Sequence, residues 1–133
     1  MVTCYLGIGS NLGNRRRYIL LATKKIRSLR GCRLIASSRI IETSPVGGPK
    51  HQGKFLNAAV KIETTLAATD LLDRLKRIER ELGRVKTARN GPRTIDLDIL
   101  FYGNVSVRTK DLDIPHPRIF EREFVLKPLL ELL

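Results

Sequence analysis

Two hydrophobic periods take turns along these 133 residues, and their order limits the fold more than any single motif does. Val2, Cys4, Leu6 and Ile8 alternate with Thr3, Tyr5, Gly7 and Gly9, the period of two expected of a strand with one buried face. Asn14 can then cap a helix whose Ile19, Ala22, Ile26 and Leu29 share a side, with Gly31 as its stop. A second strand is expected from Cys32 to Ile41. A third runs from Phe55 to Glu63, with Leu56, Ala58, Val60 and Ile62 on one face. Leu71, Leu75, Ile78 and Leu82 mark a second helix ended by Gly83, and Ile95, Leu97 and Ile99 open a fourth strand.

Strand, helix, strand, strand, helix, strand is the ferredoxin-like pattern, an α+β arrangement with helices packed on a mainly antiparallel sheet. Gly103-Asn104 signals a hairpin between Phe101-Tyr102 and Val105-Ser106-Val107, and a short helix is expected around Ile119 to Glu123. No repeat or domain boundary interrupts the chain, so residues 1–133 are expected to form one domain. The fold is shared by many functions and names none of them.

Function is more legible in Gly91-Pro92-Arg93-Thr94-Ile95-Asp96-Leu97-Asp98-Ile99. On a strand the three apolar residues face one way, and Asp96 and Asp98 face the other, about 6.6–6.8 Å apart along the chain. Carboxylates so placed repel each other unless a cation sits between them. Oxygen donors at this spacing suit Mg²⁺, which is held by one or two carboxylates together with substrate phosphates. A solvated strand face is the ordinary alternative for any Asp-x-Asp, and what precedes the strand argues against it. From Arg74 to Arg93 there are eight basic residues, opposed only by Glu79 and Glu81. Arg74, Arg77 and Arg80 read as a solvated helix face. From Arg84 to Asn90 the chain has no hydrophobic period and reads as a mobile basic loop that empties into the Asp-x-Asp strand. Guanidinium forks beside a two-carboxylate metal site are what a polyphosphate requires.

The glycine-rich turn after the first strand does not supply a phosphate cradle. Its third glycine, Gly13, falls one residue late for a dinucleotide fingerprint, no acidic residue follows about 20 positions on, and Gly-Lys-Ser/Thr is absent. The stretch from Thr43 to Lys54 holds Pro45, Gly47, Gly48, Pro49 and Gly53 and is expected to be a long functional loop. Just after it, Phe55 and Asn57 share a strand face, a ring and an amide that suit a flat, hydrogen-bonding heterocycle, although a core Phe beside a strand-end Asn would give the same pattern. His51 reads as a surface histidine.

Taken together, these segments resemble the hydroxymethyl-dihydropterin pyrophosphokinase family of folate biosynthesis. The Gly91–Ile99 run is similar to that family's signature, and so are Gly7-Ile8-Gly9-Ser10-Asn11-Leu12-Gly13, Thr43-Ser44-Pro45-Val46-Gly47, Phe55-Leu56-Asn57-Ala58-Ala59-Val60, Pro115-His116-Pro117-Arg118 and Arg122-Glu123-Phe124-Val125-Leu126. The resemblance runs from about residue 3 to the C-terminus in the family's order. It implies a Mg²⁺-dependent enzyme that moves the diphosphate of ATP onto hydroxymethyl-dihydropterin and releases AMP. It further implies that Asp96 and Asp98 hold two Mg²⁺ ions and that Arg84 and Arg93 are catalytic. Glu79, Lys86, Arg89, Ile99, His116 and Arg122 would bind ATP; Thr43, Pro45, Val46, Phe55, Asn57 and Phe124 would bind the pterin. This chain departs from many relatives at Asn90, where they carry tryptophan, in an Arg84–Arg93 interval one residue shorter than in some, and in stopping at Leu133.

Charge and composition bound the partners. The net charge of +12 calls for an anionic partner: nucleic acid, an acidic membrane or a phosphorylated small molecule. An RNA-binding module on this fold would need stacking aromatics in an RNP1-like run, and none occurs in a chain with 5% aromatic residues. A metal-binding regulatory domain would leave the arginines, Phe55 and Asn57 without a role. No apolar run reaches the ~20 residues of a membrane span, and the start lacks a signal-peptide pattern, so a cytoplasmic monomer is expected, with a dimer as the alternative. Cys4 and Cys32 have neither disulfide nor zinc spacing and read as small buried residues.

Overall fold

The computed structural model describes residues 1–44, 52–85, 92–117, 119 and 122–133. Four of its strands follow the order β2-β4-β1-β5, where β1 is Val2–Ser10, β2 Cys32–Ser37, β4 Phe55–Thr64 and β5 Asp96–Tyr102. The short β3, Ile41–Thr43, pairs with β4 beyond the end of β2. All these pairings are antiparallel. Helices α1 (Arg15–Arg27) and α2 (Ala68–Glu81) cover one face, which is the ferredoxin-like arrangement that the periods predict. Cys4, Leu6 and Ile8 of β1, Val60 and Ile62 of β4, and Leu97 and Ile99 of β5 point into the main core with Ile19, Ala22, Ile26, Leu71, Leu75 and Ile78 from the helices. Asn14 caps α1 by accepting the Arg17 N–H at 3.2 Å.

Three expected elements come out differently. The second strand is broken after Ser37, because the Ser38 hydroxyl accepts the Ala59 N–H that a continuing strand backbone would have bonded. The chain turns at Gly103-Asn104, but Val107–Arg108 (β6) pairs with Asp113–Ile114 (β7) and not with β5. The last helix, α3, spans Glu123–Leu130 and starts where the short helix was expected to end. Its Leu129 closes a second, smaller core with Leu100 and Ile119. Leu100 reaches that core through a bulge: Tyr5 pairs with Phe101 and Leu6 with Ile99, so Leu100 is left between them. Helix α3 packs against β4, β1 and β3, leaving part of the sheet face beside it uncovered. No helix among the described residues is long and apolar enough to cross a membrane.

Candidate active site

The sheet face away from α1 and α2 is where the Asp-x-Asp strand shows its carboxylates. Asp96 and Asp98 stand there beside Gly7 and Gly9 of β1, and Phe55 and Asn57 of β4 complete the row. The two glycines keep the floor bare. A Cβ on Gly9 would lie 3.0 Å from Asn57 Oδ1 and 3.5 Å from Phe55 Cδ1, and one on Gly7 would lie 3.5 Å from Leu100. The cleft above them, counted out to open solvent, encloses about 760 Å³. Arg122, Phe124 and Val125 at the start of α3, with His116, form one wall, and Thr43 and Ser44 form another.

Asn57 is only 7% exposed, and its Nδ2 donates to the Thr43 hydroxyl at 2.7 Å. The Arg122 guanidinium lies 5.6 Å from the Phe124 ring centroid, within cation–π range. Phe55 and Phe124 thus offer two aromatic rings to one cleft, with an oriented amide nearby.

The other end of the cleft is ionic. Arg93 Nη1 donates to Asp96 Oδ2 and Arg84 Nη1 to Asp96 Oδ1, each at 3.0 Å. Arg84 Nη1 also donates to Glu79 Oε2 at 2.7 Å. Burial opposes the charge on Arg84, yet Asp96 and Glu79 outweigh it and raise the pKa. Asp98 answers to a different balance. Burial, then the charges of Asp96 and Glu79, push its pKa up to about 7 against the pull of Lys76 and Arg93. Chemically, this end is a pair of oxygen donors with one member poorly neutralised by the protein. Among the described residues no three His, Cys, Asp or Glu side chains gather into a metal cage. Two carboxylates opening on a cleft fit Mg²⁺, which binds few protein groups and keeps positions for substrate oxygens.

Asp98 gives a stability signature. Its folded pKa lies above that of a free carboxylate, so the folded state holds the proton more tightly and loses stability as pH rises from about 4 through 7. Without added metal, Asp98→Asn should be more stable than the parent at pH 7.5 by ~2–4 kcal/mol, and the gap should close toward pH 4. Urea melts of both proteins across that range measure it. A constant gap would mean that Asp98 ionises normally.

The cleft brings several expected site residues together. Arg93, Asp96, Asp98, His116, Arg122, Thr43, Phe55, Asn57 and Phe124 all line the cleft. Others do not. Ile99 is 4% exposed, with its side chain in the main core on the opposite face, as its place between Leu97 and the sheet's apolar side requires. Glu79 is 3% exposed and lies under the outer edge of β5, accepting the Leu97 N–H at 2.8 Å, so its carboxylate is spent inside the protein. Arg84 is not free at the start of a loop: two carboxylates hold it, and it stands behind Asp96, outside the cleft lining. Pro45, Val46, His51, Lys86, Arg89 and Asn90 lie outside the described residues.

Sequence reasoning gave no role to Gly7 and Gly9, although their place in the odd register of β1 opposite bulky even residues was the available signal. It also passed over Asn11. The Asn11 Oδ1 accepts the Arg93 N–H at 2.7 Å, its N–H donates to Arg93 O at 3.0 Å, and its Nδ2 reaches Gln52 Oε1 and Gly53 O. One buried amide thereby fastens Arg93, three residues before Asp96, to the segment leading into β4.

Comparison with known proteins agrees with this geometry. Residues 5–133 match the family described as 7,8-dihydro-6-hydroxymethylpterin-pyrophosphokinase. The chain belongs to this pyrophosphokinase family. It is 44% identical over 132 residues to the 2-amino-4-hydroxy-6-hydroxymethyldihydropteridine pyrophosphokinase of Haemophilus influenzae, covering 99% of this chain and 82% of that one. To the protein of the same name from Bacillus subtilis it is 44% identical over 128 residues, covering 96% and 76%. It is also 48% identical over 128 residues to a folic acid synthesis protein of Pneumocystis carinii, of which it spans only 17%. Membership makes the chain an enzyme of pyrophosphoryl transfer, and the pyrophosphokinase family's own description names a hydroxymethylpterin as what is acted on.

Proposed function

We propose that this chain transfers the β,γ-diphosphate of ATP to the hydroxymethyl group of 6-hydroxymethyl-7,8-dihydropterin, a step of folate biosynthesis. The hydroxyl oxygen bonds to the β-phosphorus, the bond from that phosphorus to the α,β-bridging oxygen breaks, and AMP leaves. The observation that carries this reading is the joining, in one cleft, of an end with two carboxylates and Arg93, backed by Arg84 behind Asp96, and an end with two phenylalanines and a fixed amide. Transfer from a polyphosphate to a flat heterocyclic alcohol needs both.

Phe55 and Phe124 bind the pterin by their ring faces, and Asn57, oriented by Thr43, pairs with its polar edge. Asp96 and Asp98 would hold Mg²⁺, two ions in this reading, which when bound offset the charge of the triphosphate. In the free protein Asp96 occupies both guanidiniums, and phosphate oxygens entering the cleft compete with it for that of Arg93. Arg93 then steadies the transferring group and Arg84 stabilises charge as the α,β bridge breaks. His116 and Arg122 line the route for the nucleotide phosphates, and Lys86 and Arg89 are assigned there by resemblance. The reading is of a single-domain cytoplasmic enzyme, a monomer with a dimer as the alternative, whose partners are ATP and the dihydropterin and neither nucleic acid nor a membrane.

Phosphorus NMR of ATP incubated with the dihydropterin and Mg²⁺ tests the reaction: AMP and a pterin diphosphate are expected, and ADP would overturn it. Calorimetry tests the pocket. Phe55→Ala and Asn57→Ala should each weaken pterin binding by ~1–3 kcal/mol, for lost stacking and for an unpaired polar edge, and leave ATP binding in the absence of pterin nearly unchanged. Equal losses for both ligands would put these residues outside the pterin site.

A further inference from the structure

Glu79 is the one charged residue classed as buried among those described, at 3% exposure. Two neighbours explain its place. Among the described residues the outer edge of β5 has no partner strand, and Glu79 Oε2 accepts the Leu97 N–H there at 2.8 Å. A neutral amide oxygen could do that as well, without the cost of burying charge. The second neighbour is the one that calls for a carboxylate: Arg84 Nη1, 2.7 Å from the same oxygen and 3.0 Å from Asp96 Oδ1. Lys76 Nζ, half exposed, stands 3.3 Å from the other oxygen.

A buried ion pair seldom stabilises a fold more than apolar packing would, so its presence is better explained by the geometry it fixes. That geometry is over-determined here. Gly83 takes φ +84°, a left-handed turn that closes α2, and the Arg84 N–H returns to Glu79 O at 3.0 Å. Among the described residues no atom lies within 4 Å of a Cβ built on Gly83, so the glycine answers to the turn. Backbone and side chain of Arg84 are thus both held by Glu79, and its guanidinium is directed at one oxygen of Asp96.

We infer that Glu79 is a positioning residue of the transfer reaction, fixing Arg84 against Asp96 and thereby the orientation of that carboxylate toward the cleft. This rests on the reaction proposed above. It replaces direct ATP contact, which the burial of Glu79 does not favour.

A double-mutant cycle on the full chain tests it, with kcat, both KM values and the melting temperature measured for the parent, Glu79→Gln, Arg84→Ala and the pair. Glu79→Gln keeps the acceptor for Leu97 and removes the charge. It should lower kcat about tenfold or more with both KM values within about threefold. In the Arg84→Ala background the same substitution should change kcat by less than about twofold. Equal losses of kcat in the two backgrounds, or a lowered melting temperature with kcat unchanged, would overturn the inference. If Glu79→Gln does not fold, Glu79→Asp, which keeps the charge but shortens its reach, takes its place under the same criteria. A parent that forms no AMP from ATP and hydroxymethyl-dihydropterin would overturn the reaction itself, whereas an active parent with additive substitutions overturns only the role of Glu79.

Discussion

Asp96→Asn should cut turnover by about 10²–10³ or more, the scale on which enzymes lose rate when a group that organises transition-state charge is removed. Asp96 has two tasks. Each of its oxygens faces a guanidinium, Arg84 on one and Arg93 on the other, and the same carboxylate is a donor for the cation that accompanies a triphosphate. Asparagine keeps the shape but offers one weak acceptor and one donor, and the donor must face an arginine. Turnover and stability should therefore both fall, the latter by ~1–2 kcal/mol, since Arg84 keeps Glu79 and only Arg93 loses its carboxylate. Asp98→Asn should lose turnover to a similar degree while gaining stability near neutral pH, because Asp98 is the carboxylate the protein leaves poorly neutralised. Steady-state rates at saturating Mg²⁺ and urea melts of the two variants separate these effects. Near-parent turnover in either would remove the Asp-x-Asp pair from the site.

Some of this was legible in the sequence for definite physical reasons. A strand with one face on the core must alternate, so Ile95, Leu97 and Ile99 fixed the direction of Asp96 and Asp98 before any coordinates. The same logic set the helical face of α2, whose Leu71, Leu75 and Ile78 are buried as spaced. What escaped were features set by tertiary partners. Glu79 looked like one more charge on a basic helix. Its burial follows from the open edge of β5 passing over it and from Arg84 folding back beside it, and neither is a property of the helix alone. Arg84 looked mobile because no apolar residue anchors the segment after Gly83, yet carboxylates anchor it. The break in the edge strand turned on the single hydroxyl of Ser38 intercepting Ala59, which a hydrophobic pattern cannot report. The partner of β6 was misread because a turn signal states that the chain reverses and not which strand receives it.

The two arginines should fail differently when removed. Arg93 lines the cleft in the free protein and its backbone is clasped at both ends by Asn11, so it meets incoming phosphates in the ground state. Arg93→Ala should raise the KM for ATP about tenfold and also lower kcat. Arg84 is just as firmly held, but behind Asp96 and outside the cleft lining, where a ground-state phosphate does not reach it. It can gain interaction only as charge develops on the breaking bridge and Asp96 exchanges its partners. An interaction made in the transition state alone appears in kcat, so Arg84→Ala should lower kcat by about 10²-fold with the KM for ATP within about threefold. Steady-state and single-turnover kinetics on both variants, with ATP binding followed by calorimetry, measure the contrast. If Arg84→Ala weakened ATP binding and left the single-turnover rate intact, Arg84 would be a docking group, and the ion pairs that hold it would serve nucleotide capture instead of bond cleavage.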